Sequence, residues 1–478
     1  MHLPFQILLP VILISLLSCG NAEKKNESPT ATIVATPTAT KANSNDSFQP
    51  GTVIKSVSCQ SVPDQSYALY LPKKFSWQMK YPVVFFFDAH ARGSLPVSKY
   101  ADLADRYGFI LVCSNDSRNS LDAGMIINIT SNFLNDVTKR FPVDMRNVFA
   151  GGFSGGSRVA IGITLQDNRI KGVIANSAGF QPAREPLAKD VCFVGLVGNE
   201  DFNLSEMKNT QVSLNEAGIV NDLLIFNGKH DWAPASDMDK AFLLLTLEGV
   251  RAKRMEKNDS IIDASFNSDE KEAEKLLHGS TNVLTKYAAC HLMNLYYAGI
   301  KPVDKYARLE KSINGPDYQE ARHHEKQEAA AEQAEQQRYA MAFQEKDMAW
   351  WMNEINRLNA EASSTKNKDR AQYDKRLLAY LSLASFMSTN SALKQEALPQ
   401  AENFLTLYKM VDPTNSEWAY LSAFVCMKKN DVPGALLNLD KAVELGFNDL
   451  NRIRSQREFE PLQNDQKFNE IIAKIKQD

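Results

Sequence analysis

Apolar and polar positions change their spacing twice along this chain. An apolar run at 5–17 is followed by a polar stretch at 22–50 that has no apolar period. From Gly51 to Arg254, short runs of β-branched and aromatic residues alternate with amphipathic stretches. After Met255 the strand-like runs stop and a helical period continues to the last residue. The pattern predicts an α/β region at 51–254 and an all-α region after it.

Eight apolar runs between residues 53 and 226 have the length and composition of β-strands. They are Val53–Val57, Tyr67–Leu71, Val83–Phe87, Phe109–Cys113, Val148–Gly151, Gly172–Ala175, Phe193–Val197 and Leu223–Phe226. The clearest amphipathic stretches between them are Val97–Tyr107, Asp122–Phe141, Gly156–Leu165 and Ser205–Ala217. Because strands that alternate with helices usually run parallel, we expect a doubly wound, mostly parallel sheet.

The helical half contains segments with repeat-like spacing. In the unit 415–446, a helix at 418–428 is followed by a turn and a second helix at 433–445. Its small and apolar residues match those of a tetratricopeptide repeat, which the unit resembles: Ala423, Ala435, Leu439 and Ala442. A degenerate second match lies at 397–413. We therefore predict a helical region at 255–390 and tetratricopeptide-like repeats at 391–478, with a protein partner bound through the repeats.

Length and charge narrow the classes of function. The chain has 478 residues, so more than one folded unit is expected. Lys and Arg number 54 and Asp and Glu number 57, which leaves no basic excess and argues against nucleic acid as a partner. The run His323, His324 and Glu325 has no metal-binding spacing, because adjacent helical residues point in different directions. We assign no metal and no cofactor.

A GxSxG motif lies where a strand is predicted to pass directly into a helix. The strand ending at Gly151 continues into Gly152-Phe153-Ser154-Gly155-Gly156, and the helix follows. A nucleophile on such a sharp turn needs a strained backbone, and neighbours without Cβ allow the turn to pack closely. The context predicts that Ser154 is a nucleophile. The alternative is a glycine-rich connection with a passive serine.

A serine nucleophile needs a histidine base, and the α/β region contains two histidines. Five of the seven histidines lie elsewhere: His2, His278, His291, His323 and His324. His230 follows the last predicted strand, at the sheet edge where a base belongs, and we predict that it activates Ser154. His90 is the rival, but its early position suits an oxyanion loop better. Because the base must be neutral, activity is predicted to fall at acidic pH.

The acid that orients the base is expected after the preceding strand. The loop after Phe193–Val197 contains Glu200 and Asp201, which gives the chain order Ser, Asp, His. We predict Asp201 as the acid, with Glu200 as the alternative. Asp231 is adjacent to the base in sequence and is therefore badly placed to orient it.

Backbone donors for an oxyanion are expected at the same edge. Asp88-Ala89-His90-Ala91-Arg92-Gly93 follows a predicted strand and is close to the HGxG loop of esterases. The N–H of Ala91 or of Arg92 is predicted to be one donor and that of Gly155 the other.

Taken together, residues 51–254 resemble an α/β-hydrolase of the esterase group that includes polyhydroxybutyrate-depolymerase-like and feruloyl-esterase-like proteins. The matching segments are KYPVVFFFDAHARG, VFAGGFSGGSRVA, VGNED and GKHDWAP. The resemblance implies Ser154 as nucleophile, Asp201 as acid and His230 as base. Ala91 and Lys229 stand where the group usually has glycine. Trp232, beside the base, is expected either to wall the substrate pocket or to pack in the core.

The start of the chain resembles a bacterial lipoprotein signal peptide. The apolar run ends in Leu16-Leu17-Ser18-Cys19, which matches the box cleaved before a lipidated cysteine. The first residues carry His2 and no Lys or Arg, which departs from the usual pattern. We predict a signal peptide at 1–18, lipidation at Cys19 and a flexible tether at 19–50. The alternative is an uncleaved membrane anchor.

The predicted function is that of a lipid-anchored serine hydrolase in the bacterial cell envelope, periplasmic or at the cell surface. Its substrate is expected to be a small-molecule or polymer ester, cleaved through an acyl-enzyme. A prolyl-oligopeptidase-like peptidase shares the fold and residue order, but no propeller-like β region precedes the α/β region. A third alternative is a non-catalytic interaction protein that keeps a relic of the hydrolase fold.

Overall fold

The computed structural model describes residues 48–180 and 187–475, which divide into two units between Ala329 and Ala330. The predicted signal peptide at 1–18, the lipidation site Cys19 and nearly all of the tether at 19–50 lie outside the described residues. Within the described ranges, no helix is long and apolar enough to cross a membrane.

The first unit contains one sheet of eight strands. In chain order these are β1 (Val53–Ser58), β2 (Ser66–Tyr70), β3 (Tyr81–Asp88), β4 (Ile110–Ser114), β5 (Val143–Phe153), β6 (Ile170–Asn176), β7 (Cys192–Gly198) and β8 (Asn221–Phe226). Each contains or overlaps one of the predicted strands.

The strands are ordered β1-β2-β4-β3-β5-β6-β7-β8 across the sheet. The β1/β2 and β2/β4 pairs are antiparallel, and the other five pairs are parallel. The carboxyl ends of β3 and of β5 to β8 therefore lie along one edge. Loops that leave this edge can bring together residues that are distant in the sequence.

Helices cover both faces of the sheet. In β3, Val84 and Phe86 pack into one apolar cluster, whereas Val83, Phe85 and Phe87 pack into another. Successive side chains of a strand point to opposite faces, so a strand buried on both sides must be apolar at nearly every position. This explains the unbroken apolar run in this segment of the sequence. The predicted α/β class and doubly wound sheet are confirmed.

Ten helices begin among the described residues of the first unit. They are α1 (Ser94–Lys99), α2 (Ala101–Tyr107), α3 (Ala123–Arg140), α4 (Gly155–Gln166), α5 (Leu204–Glu216), α6 (Ala235–Arg251), α7 (Asp259–Gly279), α8 (Val283–Tyr297), α9 (Asp304–Ile313) and α10 (Pro316–Glu345). The single helix predicted at 97–107 is broken at Tyr100, whose φ of −115° and ψ of 14° are not helical.

The apolar core of the sheet continues past residue 254 into α7 to α9. Phe266, Met293 and Tyr297 belong to the same buried cluster as Phe242 of α6. A hydrogen bond from the Tyr296 hydroxyl to Asp222 Oδ2, at 2.8 Å, also ties α8 to β8. The first helices after Met255 are thus integral to the sheet-containing unit.

The second unit, described to residue 475, is helical. After the end of α10 it contains α11 (Met348–Ala362), α12 (Lys368–Lys394), α13 (Leu398–Val411), α14 (Ser416–Lys428), α15 (Val432–Glu444), α16 (Leu450–Ser455), a 3₁₀ helix (Arg457–Leu462) and α17 (Gln466–Ala473). Trp351, Ile355 and Leu358, which share one face of α11, are buried. The predicted all-α region is confirmed.

Candidate active site

Ser154 lies on a sharp turn between β5 and α4. Its φ of 55° and ψ of −120° are unusual for a residue with a side chain. The neighbouring glycines are required by close approach: a Cβ on Gly152 would lie 2.2 Å from the carbonyl oxygen of Gly156, and one on Gly156 would lie 2.0 Å from that of Phe87. The Ser154 N–H donates to the Asn176 carbonyl at 2.9 Å, which continues the β5/β6 pairing into the turn.

Ser154, His230 and Asp201 form one hydrogen-bonded chain. His230 Nε2 lies 2.9 Å from Ser154 Oγ, and His230 Nδ1 lies 2.9 and 3.0 Å from the two oxygens of Asp201. The Asp201 side chain is fully buried, and that of His230 is one-fifth exposed. This geometry allows the imidazole to take the hydroxyl proton while the carboxylate holds the ring.

Two aromatic rings fix the plane of the His230 imidazole. Phe202 stacks on it with ring centroids 4.3 Å apart, and Phe153 lies 4.8 Å away on a tilted approach. Phe153 precedes the serine, and Phe202 follows the acid. The same two turns that supply the reactive groups therefore also supply the packing that orients the base.

The base loop is tied to its neighbours by buried polar groups. Asn176, at the end of β6, donates its amide N–H to the Asp231 carbonyl at 3.0 Å and accepts the Ala233 N–H at 2.7 Å. The Tyr100 hydroxyl donates to the Ala233 carbonyl at 2.8 Å. These bonds hold the residues that follow His230 and do not use its ring, so the ring stays available to Ser154 and Asp201.

The acid loop is paired with the base loop through backbone bonds. The N–H of Asn199 donates to the Phe226 carbonyl at 2.8 Å, and that of Glu200 to the Gly228 carbonyl at 2.9 Å. These two backbone hydrogen bonds immediately precede Asp201, the acid whose side chain contacts His230. Asp231 instead accepts the N–H of Trp232 with its side chain at 2.7 Å.

The loop after β3 differs from the prediction. The Ala91 N–H donates to the Asp88 carbonyl at 3.2 Å, and the Arg92 N–H donates to Asp88 Oδ1 at 3.3 Å. The His90 N–H also donates to Asp88 Oδ1, at 2.8 Å. Both expected donors are thus bound within their own loop. Ala91 has a φ of 59°, the left-handed region, which accounts for the glycine usual at this place.

Gly155 differs from these loop residues. As the first residue of α4, its N–H has no acceptor within the helix. No described residue outside the helix accepts it either. Of the three residues predicted to donate to the oxyanion, Gly155 is the one whose backbone N–H has no hydrogen-bond acceptor among the described residues.

Asp88 is a fully buried carboxylate at the end of β3. Arg92 donates two side-chain hydrogen bonds to it, both at 2.9 Å, and Trp232 donates its indole N–H at 2.8 Å. Burial acts to raise the pKa of Asp88, but the hydrogen bonds and charge of Arg92, with the bond from Trp232, lower it below its ordinary value. The carboxylate is therefore stable as an anion in an apolar setting.

Trp232 is not placed as a wall of an open pocket. Its side chain is 2% exposed and packs against Phe86, Tyr100 and Phe153. Of the two roles expected from sequence, the structure places it in the core, where its indole N–H supports Asp88.

Asn119 lies beside the serine turn. Its backbone N–H donates to the Ala89 carbonyl at 3.0 Å, and the adjacent Arg118 pairs with His90 in an isolated β-bridge. A Cβ on Gly155 would lie 1.6 Å from Asn119 Oδ1 and 3.1 Å from its Nδ2. The Asn119 side chain is exposed, and within the described ranges its amide makes no hydrogen bond.

Sequence reasoning did not assign roles to Asp88, Asn119, Asn176 or Phe202. The position of Asp88 directly after the apolar run Val83–Phe87 is a signal that sequence offers, because acids are rarely buried without partners. Nothing in the spacing of Asn119 indicated its closeness to Gly155, which depends on the pairing of two distant loops. Among the residues that the structure describes, no cluster of His, Cys, Asp and Glu is arranged to hold a metal ion.

The fold and this geometry define an α/β sheet protein with a serine, histidine and aspartate in contact at the carboxyl edge of the sheet. No protein-family model and no curated protein matches the chain. Similar solved structures include a ferulic acid esterase (18% identity, TM-score 0.32), which covers 40% of this chain and 94% of its own. FphF, a fluorophosphonate-binding serine hydrolase of Staphylococcus aureus, has 13% identity and a TM-score of 0.34, covering 41% and 98%. A feruloyl esterase module from Clostridium thermocellum has 15% identity and a TM-score of 0.33, covering 45% and 93%.

Proposed function

We propose that this protein is a serine hydrolase that cleaves carboxylic esters through an acyl-enzyme. The observation that carries the proposal is the unbroken chain from Ser154 Oγ through His230 to Asp201, with every link between 2.9 and 3.0 Å. A serine hydroxyl is a weak nucleophile until a positioned base accepts its proton. The strained turn that presents Ser154 supports the same conclusion.

The reaction follows from these positions. Ser154 Oγ forms a bond to the ester carbonyl carbon while its proton passes to His230 Nε2, and the carbonyl π electrons move to the oxygen. The tetrahedral intermediate collapses with loss of the alcohol, which takes the proton from the imidazolium. Water then attacks the acyl-enzyme by the same route and releases the acid. Asp201 keeps the imidazole oriented and stabilises its charged form.

The proposal is tested with a fluorophosphonate probe and a panel of esters. The panel contains short acetyl esters, aromatic esters and polyester chains, because the residues described do not distinguish these substrates. We expect the wild-type protein to be labelled and to hydrolyse at least one class, and Ser154→Ala to lose both activities. Labelling that persists in Ser154→Ala would contradict the assignment of the nucleophile.

The same experiment separates the alternatives. Hydrolysis of a prolyl peptide substrate with no ester turnover would indicate a peptidase of the prolyl-oligopeptidase kind. Absence of both labelling and turnover would favour a non-catalytic protein. The tetratricopeptide-like repeats and the protein partner expected for them stay predictions.

We further propose that the mature protein is held in the bacterial cell envelope by lipid on Cys19. The proposal is supported by the Leu16-Leu17-Ser18-Cys19 box and by the polar tether that follows it. Expression with radiolabelled palmitate in a bacterial host should label the wild-type chain in the membrane fraction. Cys19→Ser should lose the label and the membrane association.

A further inference from the structure

The backbone N–H groups predicted to bind the oxyanion supply only one free hydrogen-bond donor. Acyl transfer usually places at least two hydrogen-bond donors at the oxygen that becomes negative. Here the N–H groups of His90, Ala91 and Arg92 all donate to Asp88, so the loop after β3 offers none of the three. Gly155 N–H is the remaining donor of the predicted set. A second donor is expected within a few ångström of it.

The Asn119 side chain is the polar group in that position. Its amide lies against Gly155, since a Cβ on that glycine would lie 1.6 Å from Oδ1 and 3.1 Å from Nδ2. Oδ1 is the nearer of the two polar atoms, and rotation of the unbonded amide about its Cβ–Cγ bond brings Nδ2, the hydrogen-bond donor, to the same place beside Gly155. No described residue competes for the Asn119 amide hydrogens.

The position of Asn119 is built by the fold rather than left to a free surface loop. Its own N–H donates to the Ala89 carbonyl at 3.0 Å, and Arg118 pairs with His90. Ser114 Oγ accepts the N–H groups of Asp116 and Ser117 at 3.2 and 3.1 Å, which anchors the start of the same turn. The backbone is thus held while the side-chain amide projects free of protein partners.

We propose that Asn119 is a catalytic residue that donates an Nδ2 hydrogen bond to the oxyanion, together with the Gly155 N–H. The inference deepens the proposed function and depends on it. As Ser154 Oγ bonds to the carbonyl carbon, the π electrons collect on the oxygen and the hydroxyl proton moves to His230. Asn119 transfers no proton; it stabilises charge that is largest in the transition state.

The test compares Asn119→Ala and Asn119→Asp with the wild-type protein, using p-nitrophenyl acetate or whichever panel ester the wild type hydrolyses best. Loss of one side-chain oxyanion donor lowers kcat by about 10²–10³-fold. We expect this fall in Asn119→Ala with KM changed less than about threefold, since the bond forms mainly in the transition state. Asn119→Asp, which keeps the shape but cannot donate, should lose at least as much.

A second readout separates catalysis from structure. An aryl trifluoromethyl ketone forms a tetrahedral adduct with a serine nucleophile, so its inhibition constant should rise in Asn119→Ala by about the factor that kcat loses. Ser120→Ala, a neighbouring exposed position, is the matched control and should keep wild-type kcat. The melting temperature should be unchanged in both Asn119 variants, because the Asn119 amide has no bond to lose. Ser120→Ala removes one exposed hydrogen bond, which Arg118 Nε donates at 3.2 Å.

Two outcomes overturn the inference in different ways. If the wild type hydrolyses esters through Ser154 and Asn119→Ala keeps kcat within threefold or raises it, the role of Asn119 is wrong and the proposed function stands. If the wild type neither hydrolyses an ester nor shows labelling that depends on Ser154, both proposals fail together.

Discussion

The indole N–H of Trp232 donates to the buried carboxylate of Asp88 over 2.8 Å, joining two residues 144 positions apart. Asp88 ends β3, and Trp232 stands two residues after His230. The same carboxylate also holds the backbone of His90. One buried acid therefore connects the loop beside Ser154 with the loop that carries the proposed base.

Trp232→Phe tests this connection. The substitution keeps an aromatic ring in the core but removes the donor, and a lost hydrogen bond to a charged group costs about 1.5–3 kcal/mol. We expect a lower melting temperature and a fall in kcat of about tenfold or more, because small displacements of a base reduce rates strongly. Thermal unfolding and ester kinetics measure the two effects.

Trp77→Phe is the matched control, because Trp77 is 45% exposed and stacks on Phe141 away from these loops. It should change the free energy of unfolding by about 0.5 kcal/mol or less. If Trp77→Phe and Trp232→Phe lower the melting temperature and kcat equally, the hydrogen bond from the Trp232 indole to Asp88 does not stabilise the two loops.

Asp201→Asn should lower kcat by about 10³–10⁴-fold while the fold is retained. An amide cannot hold the imidazole in the tautomer that accepts a proton from Ser154 on Nε2. Glu200→Gln changes the adjacent acid in the same way and should leave kcat within about threefold. Steady-state kinetics of both variants decide between the two acids. A large loss in Glu200→Gln with little in Asp201→Asn would reverse the assignment.

Gly152→Ala should destabilise the serine turn. The new Cβ would lie 2.2 Å from the Gly156 carbonyl oxygen, and overpacking of this kind costs about 1–3 kcal/mol. We expect a lower melting temperature together with reduced labelling by a fluorophosphonate probe. Gly162→Ala in α4 is the control: nothing lies within 4 Å of its added Cβ, and alanine favours a helix by about 0.5–1 kcal/mol. An unaffected Gly152→Ala would argue against close packing in the turn.

The second unit should become less stable in acid through Glu354. Hydrogen bonds from Arg357, Tyr339 and Arg338 outweigh burial and lower the pKa of Glu354 from 4.5 to about 2. The protonated form is thus disfavoured by folding, so the stabilisation is complete above pH 4.5 and is lost as the pH falls towards 2. Amide hydrogen exchange in residues 339–357 should show faster opening in Glu354→Gln than in wild type at pH 6. That difference should shrink between pH 4.5 and 2, whereas a pH-independent difference would rule out titration of this carboxyl.

The local elements were predictable because their signals are local. Val83–Phe87 is apolar at every position, as a strand covered on both faces requires. The GxSxG turn was visible because glycine is needed where backbones approach within van der Waals distance. By contrast, the helices predicted from the sequence do not include Ala235–Arg251, and Tyr100 breaks a stretch whose apolar period is continuous.

The sequence by itself determined the α/β class, the helical second half and the candidate serine, histidine and acids, because periodicity and turn chemistry are carried by neighbouring residues. Only the tertiary structure decided that Asp201 contacts His230, that Asp88 takes the N–H groups expected at the oxyanion, and that Asn119 lies against Gly155. These relationships depend on which strand ends meet along one edge of the sheet. They join residues far apart in the chain, whose hydrogen bonds no local pattern encodes.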